Sequence, residues 1–111
     1  MRIIALQQEL ISAREEMERL SLTDSLTGLL NRRALVEALR RDEDRMRREN
    51  RAIGVVLTDV DNFKNFNDRY GHETGDRVLE LVANCMKASV RTGDYVGHWG
   101  GEEFLLVPPG A

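Results

Sequence analysis

Tyr95-Val-Gly-His-Trp-Gly-Gly-Glu-Glu-Phe-Leu-Leu-Val107 joins an apolar-aromatic run to a second apolar run through two glycines and two acids. Strand, Gly-Gly, strand reads as a β-hairpin with a primed turn, because paired glycines reach positive φ without steric cost. Glu102 and Glu103 stand where the turn hands over to the second strand. Side chains alternate along a strand, so the two carboxylates are expected to point in different directions. Acids beside approachable backbone fit a phosphate-and-metal site. They fit a solvated hairpin tip equally well on these residues alone.

Outside the hairpin, composition narrows the choices. The chain has 111 residues, a net charge of −3, 32% charged and 41% hydrophobic residues. That is one soluble, globular domain's worth of sequence. There is no basic excess to suggest nucleic acid. No apolar run approaches membrane-spanning length, so no membrane segment is expected and the expected compartment is the cytoplasm. The single cysteine, Cys85, excludes an internal disulfide and suits a reducing compartment. It lies on an apolar helix pattern and is expected to be a buried small hydrophobe.

Upstream of the hairpin, residues 52–60 read as a strand. Val55-Val56-Leu57 is apolar without alternation, which predicts burial on both faces and a central position. The strand ends in Thr58-Asp59-Val60-Asp61, and carboxylates there are costly unless paired or metal-bound. A short helix over residues 62–68 is expected directly after it, with free backbone N–H groups and Lys64 at its start, an arrangement that attracts anions. Tyr70 to Asp76 reads as a loop, and Gly75 or Asp76 opens a helix running to about Val90. Val78, Leu81, Val82, Cys85 and Met86 are its expected apolar face.

At the N-terminal side, Ile3, Leu6, Leu10, Ala13, Met17 and Leu20 follow the 3-4 spacing of an a/d seam. Glu9 at g and Arg14 at the following e allow an interchain pair in a parallel dimer. Residues 1–22 are therefore expected to form a dimerising helical stalk, and residues 23–111 the globular portion. The alternative is an amphipathic helix packed on its own domain. Ser21 to Leu30 is turn-rich, Asn31 is an expected N-cap, and Arg32 to Asn50 is an expected helix with Leu35, Ala38, Leu39 and Met46 apolar.

A β-α-β-β order suggests an α+β fold: a partial ferredoxin-like sheet, with the first and third strands as antiparallel neighbours. The end of one strand then lies beside the start of the other, and Asp59 meets Glu102. Two carboxylates and the Val60 carbonyl form a hard-oxygen set suited to Mg²⁺.

Four motifs complete the reading: Asp24-Ser-Leu-Thr-Gly-Leu-Leu-Asn-Arg-Arg33, Asp59-Val-Asp-Asn-Phe-Lys-Asn-Phe-Asn-Asp68, Gly71-His-Glu-Thr-Gly-Asp76 and Gly100-Gly-Glu-Glu-Phe104. In this order they resemble the GGDEF family of diguanylate cyclases, which join two GTP molecules into cyclic di-GMP with loss of pyrophosphate. The resemblance implies a nucleotidyl-cyclase palm. It implies two Mg²⁺ per half-site, with Mn²⁺ as a substitute, on Asp59, Glu102 and the Val60 carbonyl. It implies that the Asn62 and Phe63 amides and Lys64 hold the triphosphate, and that Asn67 and Asp76 read guanine. His72 would lie over phosphates or ribose, and Gly101 would let the nucleotide approach. Glu103 would share the metal and substrate shell, and it or Glu102 would help deprotonate the 3′-OH. Arg91 and Asp94, at the RxxD spacing before the glycines, would form a product-inhibition site. The implied partners are GTP, cyclic di-GMP and a second copy of the chain.

Two departures from the family pattern stand out. His98 replaces the usual arginine, which removes a fixed charge and changes how the hairpin is braced. The family domain usually continues for several elements beyond Val107, so the sequence is expected to be a fragment with little activity alone. Three readings compete: an active cyclase domain, a catalytically silent GTP or cyclic di-GMP receptor, and an inert partial domain on a dimerising stalk.

Overall fold

The computed structural model describes residues 2–108. Helix α1 (Arg2–Leu20) leads into a turn-rich segment and helix α2 (Arg32–Arg48). Strand β1 (Val56–Asp59), helices α3 (Phe63–Tyr70) and α4 (His72–Ser89), and strands β2 (Tyr95–Gly100) and β3 (Glu103–Val107) follow. The three strands form an antiparallel sheet in the order β1-β3-β2. This is the expected α+β architecture, with β1 and β3 as antiparallel neighbours.

Alternation along the strands divides the core between the two sheet faces. Phe104 and Val96 pack with Phe63 of α3, Leu79 and Ala83 of α4, and Leu29. Leu105 and Val107 face the other way, onto Leu35 of α2. Gly97 is required at this crossing: a Cβ there would collide with the Leu35 side chain and lie 2.8 Å from the Leu30 carbonyl oxygen. Tyr95 adds a hydrogen bond from its hydroxyl to Asp42 Oδ2 of α2 at 2.9 Å. Burial, followed by that carboxylate, pushes the Tyr95 phenol up.

Helix α2 starts and stops where its end residues dictate. Asn31 caps it, accepting the Ala34 N–H at 2.8 Å. At the other end Asn50 takes φ 55°. Arg51 N–H then bonds Met46 O at 2.7 Å and Asn50 N–H bonds Arg47 O at 3.2 Å, the paired bonds of a Schellman motif. The helix therefore closes at Arg48 instead of running to Asn50.

Four expectations need correction. β1 is an edge strand of four residues, and Val56 and Leu57 are 49% and 55% exposed. An unbroken apolar run normally marks burial on both faces, but among the described residues β3 alone pairs with this strand. The hairpin turn is not of the primed type, because neither Gly100 nor Gly101 has positive φ. A register shift between His98 and Gly100 lets the strands close instead. Residues 70–76 are not a loop. Gly71, at φ 92°, is the only residue between α3 and α4, and α4 begins at His72. Cys85 is exposed. Helix α4 has two apolar stripes, and the one that faces the core carries Gly75, Leu79 and Ala83 at four-residue spacing. Val78, Val82 and Met86 of the expected face pack partly buried against the same core, while Leu81 and Cys85 line the open side of a groove of about 400 Å³.

Among the described residues helix α1 makes no extensive contact with any other element, and Leu6, Leu10 and Met17 are exposed. The side chain of Ile3 lies outside the described residues.

The segment between α1 and α2 is a strap across β2. Leu30 bridges Gly97 in parallel, and His98 N–H bonds Leu30 O at 2.9 Å. Asp24 Oδ2 closes the strap on itself, accepting the Thr27 N–H at 2.9 Å and the Thr27 hydroxyl at 2.8 Å. Burial alone would raise the Asp24 carboxyl, but the two Thr27 bonds and His98 hold it below its ordinary value. A depressed carboxylate stabilises the fold above its unfolded value, and that stability is lost as pH falls through the folded value. Asp24→Ala is thus expected to lose about 1.5–3 kcal/mol at pH 7, the worth of hydrogen bonds to a charged group. The gap to wild type should shrink below about pH 4, where aspartate protonates. Urea unfolding across pH measures this, and equal stabilities at pH 7 would refute it.

Candidate functional site

Register brings the two ends of the site together. Asp59 pairs with Glu103 across β1 and β3, and Val60 N–H bonds Glu102 O at 3.0 Å. The end of β1 is thereby tied to the hairpin turn. Asn62 then takes the left-handed conformation, φ 56° and ψ 25°, which asparagine tolerates better than most residues. That single turn of backbone starts α3 almost directly off the strand. Asn62 makes no side-chain cap, and Phe66 N–H is bonded to Asn62 O. The N–H groups before Phe66 have no partner within the helix.

The result is an open cleft of about 520 Å³ lined by Asp59, Val60, Asp61, Asn62, Phe63, Lys64, Asn65 and Glu102. Six of these are residues that the sequence reading selected: Asp59, Val60, Asn62, Phe63, Lys64 and Glu102. The lining combines carboxylates with Lys64 and the start of α3. Such a cleft can hold an anion against the helix while a cation bridges it to the acids. Among the described residues no cluster of three or more acidic, histidine or cysteine side chains is positioned to hold a metal. Any cation here would rest on the pair Asp59 and Glu102, helped by backbone oxygen and the ligand's own oxygens.

The remaining selected residues do not line this cleft. Gly101 is in the turn with open space beside its Cα. Glu103 starts β3, and its carboxylate would meet a Cβ on Gly100 at 3.3 Å. Asn67 lies one turn beyond Lys64 on α3. His72 and Asp76 are exposed on the first turns of α4. Asn67 and α4 meet at Gly75, where a Cβ would collide with the Asn67 side chain. Asn67 Oδ1 is buried and has no hydrogen-bond partner. Arg91 and Asp94 are at the other end of β2 from the turn. Asp94 Oδ2 accepts the Arg91 N–H at 2.9 Å in an exposed turn.

The expected part of His98 in bracing the hairpin has partners that the sequence did not show. His98 Nδ1 lies 3.1 Å from Asp24 Oδ2, and its Nε2 lies 2.9 Å from Gly101 O. The ring stacks on Phe104 with centroids 5.0 Å apart. On the other sheet face the Arg32 guanidinium lies over Trp99 at 4.2 Å. An acid in the first motif and a histidine before the glycines were both visible, but nothing in their spacing showed that they touch.

Comparison with known proteins shows the family. The family described as "Diguanylate cyclase, GGDEF domain" matches residues 21–111. The diguanylate cyclase DosC of Escherichia coli K12 is 42% identical over 106 residues, 95% of this chain and 22% of DosC. The diguanylate cyclase DgcP of Pseudomonas aeruginosa is 39% identical over 95 residues, 86% of this chain and 14% of DgcP. Among solved structures, the P. aeruginosa diguanylate cyclase SiaD with its activator SiaC has a TM-score of 0.79 at 42% identity, covering 99% of this chain and 43% of SiaD. The coiled coil and GGDEF domain of Caulobacter crescentus DgcB with c-di-GMP has a TM-score of 0.77 at 32% identity, covering 97% and 58%. The chain thus spans well under half the length of these two curated relatives.

The Asn67–Gly75 packing gives a direct test. Gly75→Ala would displace the Asn67 side chain and is expected to cost about 1–3 kcal/mol, as overpacking usually does. Asn67 side-chain amide resonances should move with it. Unchanged stability and unchanged resonances would show that the two residues are not in contact.

Proposed function

Because the chain belongs to the GGDEF family of diguanylate cyclase domains, we propose that its cleft binds one GTP with Mg²⁺ and that two facing copies condense two GTP into cyclic di-GMP. The observation that carries this reading is that Asp59 and Glu102 line one cleft with Lys64 and the uncapped start of α3. The donors are hard oxygens, as Mg²⁺ requires. Asp59, Glu102 and the Val60 carbonyl would hold up to two ions, and Mn²⁺ could replace them. Bound there, the cation neutralises phosphate charge and acidifies a hydroxyl group.

The chain's own residues divide the remaining work. The Asn62 and Phe63 amides and Lys64 hold the triphosphate. Asn67 and Asp76 read guanine, whose N1–H and N2–H₂ donors suit a carboxylate and an amide oxygen without a partner. His72 stands over the phosphates or ribose, and Gly101 gives the nucleotide room. Glu102 or Glu103 accepts the 3′-OH proton as that oxygen attacks the α-phosphorus of the facing GTP and pyrophosphate leaves. The same transfer in the other direction closes the ring.

Each cleft holds one nucleotide, so dimerisation is part of the mechanism. We assign it to α1, whose Leu6, Leu10 and Met17 are exposed at a/d spacing. Residues 1–22 would form the stalk and residues 23–111 the cyclase portion. We assign product inhibition to Arg91 and Asp94, which pair at an exposed turn away from the cleft. No described helix is long and apolar enough to cross a membrane, and we place the reaction in the cytoplasm, where GTP is available.

In a protein carrying this domain with its flanking sequence, GTP and Mg²⁺ should yield cyclic di-GMP and pyrophosphate. Glu102→Gln should lower kcat by roughly 10²–10³, the usual cost of one charge-stabilising group. GTP binding with no turnover in the wild type would favour a silent receptor, and no binding at all would refute the assignment of the cleft.

A further inference from the structure

His98 sits between two acceptors. Asp24 Oδ2 lies 3.1 Å from Nδ1 and already accepts the Thr27 N–H and hydroxyl. Gly101 O lies 2.9 Å from Nε2 and has no proton to give. A neutral imidazole carries one N–H, so it satisfies one of these atoms and turns a lone pair toward the other. Only the imidazolium donates to both. Phe104, fully buried, stacks beneath the ring and holds it in this slot.

We propose that His98 is a positioning residue whose protonated ring ties the Gly100-Gly101-Glu102 turn to the Asp24 strap, and that the tie opens when the ring loses its proton. Beyond the hairpin's own Gly100–Glu103 pairing, two bonds reach the turn from outside. Val60 N–H holds Glu102 O from the β1 side, and His98 holds Gly101 O from the strap side. A Cβ on Gly101 would meet nothing within 4 Å, so no packing holds the residue from that side. Glu102 is the next residue, and its backbone direction follows Gly101. An effect on turnover rests on the assignment of Glu102 above. The effect on turn geometry does not.

The charged groups around the ring are few. The strap contributes Asp24, with uncharged Thr27 beside it. Lys87 of α4 reaches the strap at Gly28, where its Nζ would lie 3.1 Å from a Cβ. From β3, Phe104 is neutral, and Glu103 lies against Gly100. Histidine is the side chain that ordinarily changes charge between about pH 5 and 8. An arginine at this position would donate at every pH in that range.

The test is NMR of the ¹⁵N,¹³C-labelled chain between pH 5 and 8. In wild type, the Gly101 and Glu102 amide resonances should move together with the His98 ring resonances. Where Gly101 and Glu102 hold their low-pH positions, both ring nitrogens should carry protons. His98→Arg should abolish the pH response of Gly101 and Glu102. His98→Gln, with one donor group, should hold them near the wild-type high-pH positions. The exposed His72 is present in every variant, so a response arising there would survive both substitutions. Gly101 and Glu102 amides that ignore the His98 titration, or that titrate unchanged in His98→Arg or His98→Gln, would overturn the proposal. The readout does not involve nucleotide or metal, so its failure is distinct from failure of the cyclase assignment.

Discussion

The site depends on the antiparallel pairing of β1 with β3. Asp59 and Glu102 are far apart in the chain, and no local turn could bring them together. The pairing of Asp59 with Glu103 and the bond from Val60 N–H to Glu102 O set the strand end against the turn. A slip of one residue would send every β1 side chain to the opposite face. The Asp59 carboxylate would then leave the cleft. The buried alternation of β3, with Phe104 on one face and Leu105 and Val107 on the other, resists that slip.

Much of the remaining structure holds the turn in place. Gly97 lets Leu35 and the Leu30 carbonyl approach β2, which seats the strap on the sheet. Asp24 and Thr27 close the strap into a rigid loop. His98 carries that rigidity to Gly101. Gly71 sets α4 directly against α3 and places Gly75 over Asn67. Each device is a close backbone approach or a hydrogen bond from a short polar residue. Loops that carry function are commonly fixed to rigid scaffolds in this way.

Legibility in the sequence followed the range of the interactions. The hairpin, the Asn31 cap and the strand-helix junction at Asp59–Lys64 are local, and they were readable. So was the neighbouring of β1 and β3, which follows from element order. Exposure was not readable. Val56, Leu57 and Cys85 have apolar surroundings in sequence, yet burial depends on what packs over them in space. The start of α4 was hidden because Gly71-His72-Glu73-Thr74-Gly75 has turn-like composition. There, Gly75 serves close packing against Asn67 instead of a turn. The bridge from Asp24 through His98 to Gly101 was hidden because it joins residues distant in sequence whose types suggest no pairing alone.

The central claim is that strand register builds a single cation-binding cleft from Asp59 and the hairpin turn. Titrating the ¹⁵N-labelled chain with Mn²⁺ tests it most directly, since a paramagnetic ion broadens the amide resonances nearest to it. Broadening should centre on Asp59, Val60 and Glu102 and vanish in Asp59→Asn. Broadening centred elsewhere, such as the acidic residues Asp42 to Asp44 of α2, would contradict the account.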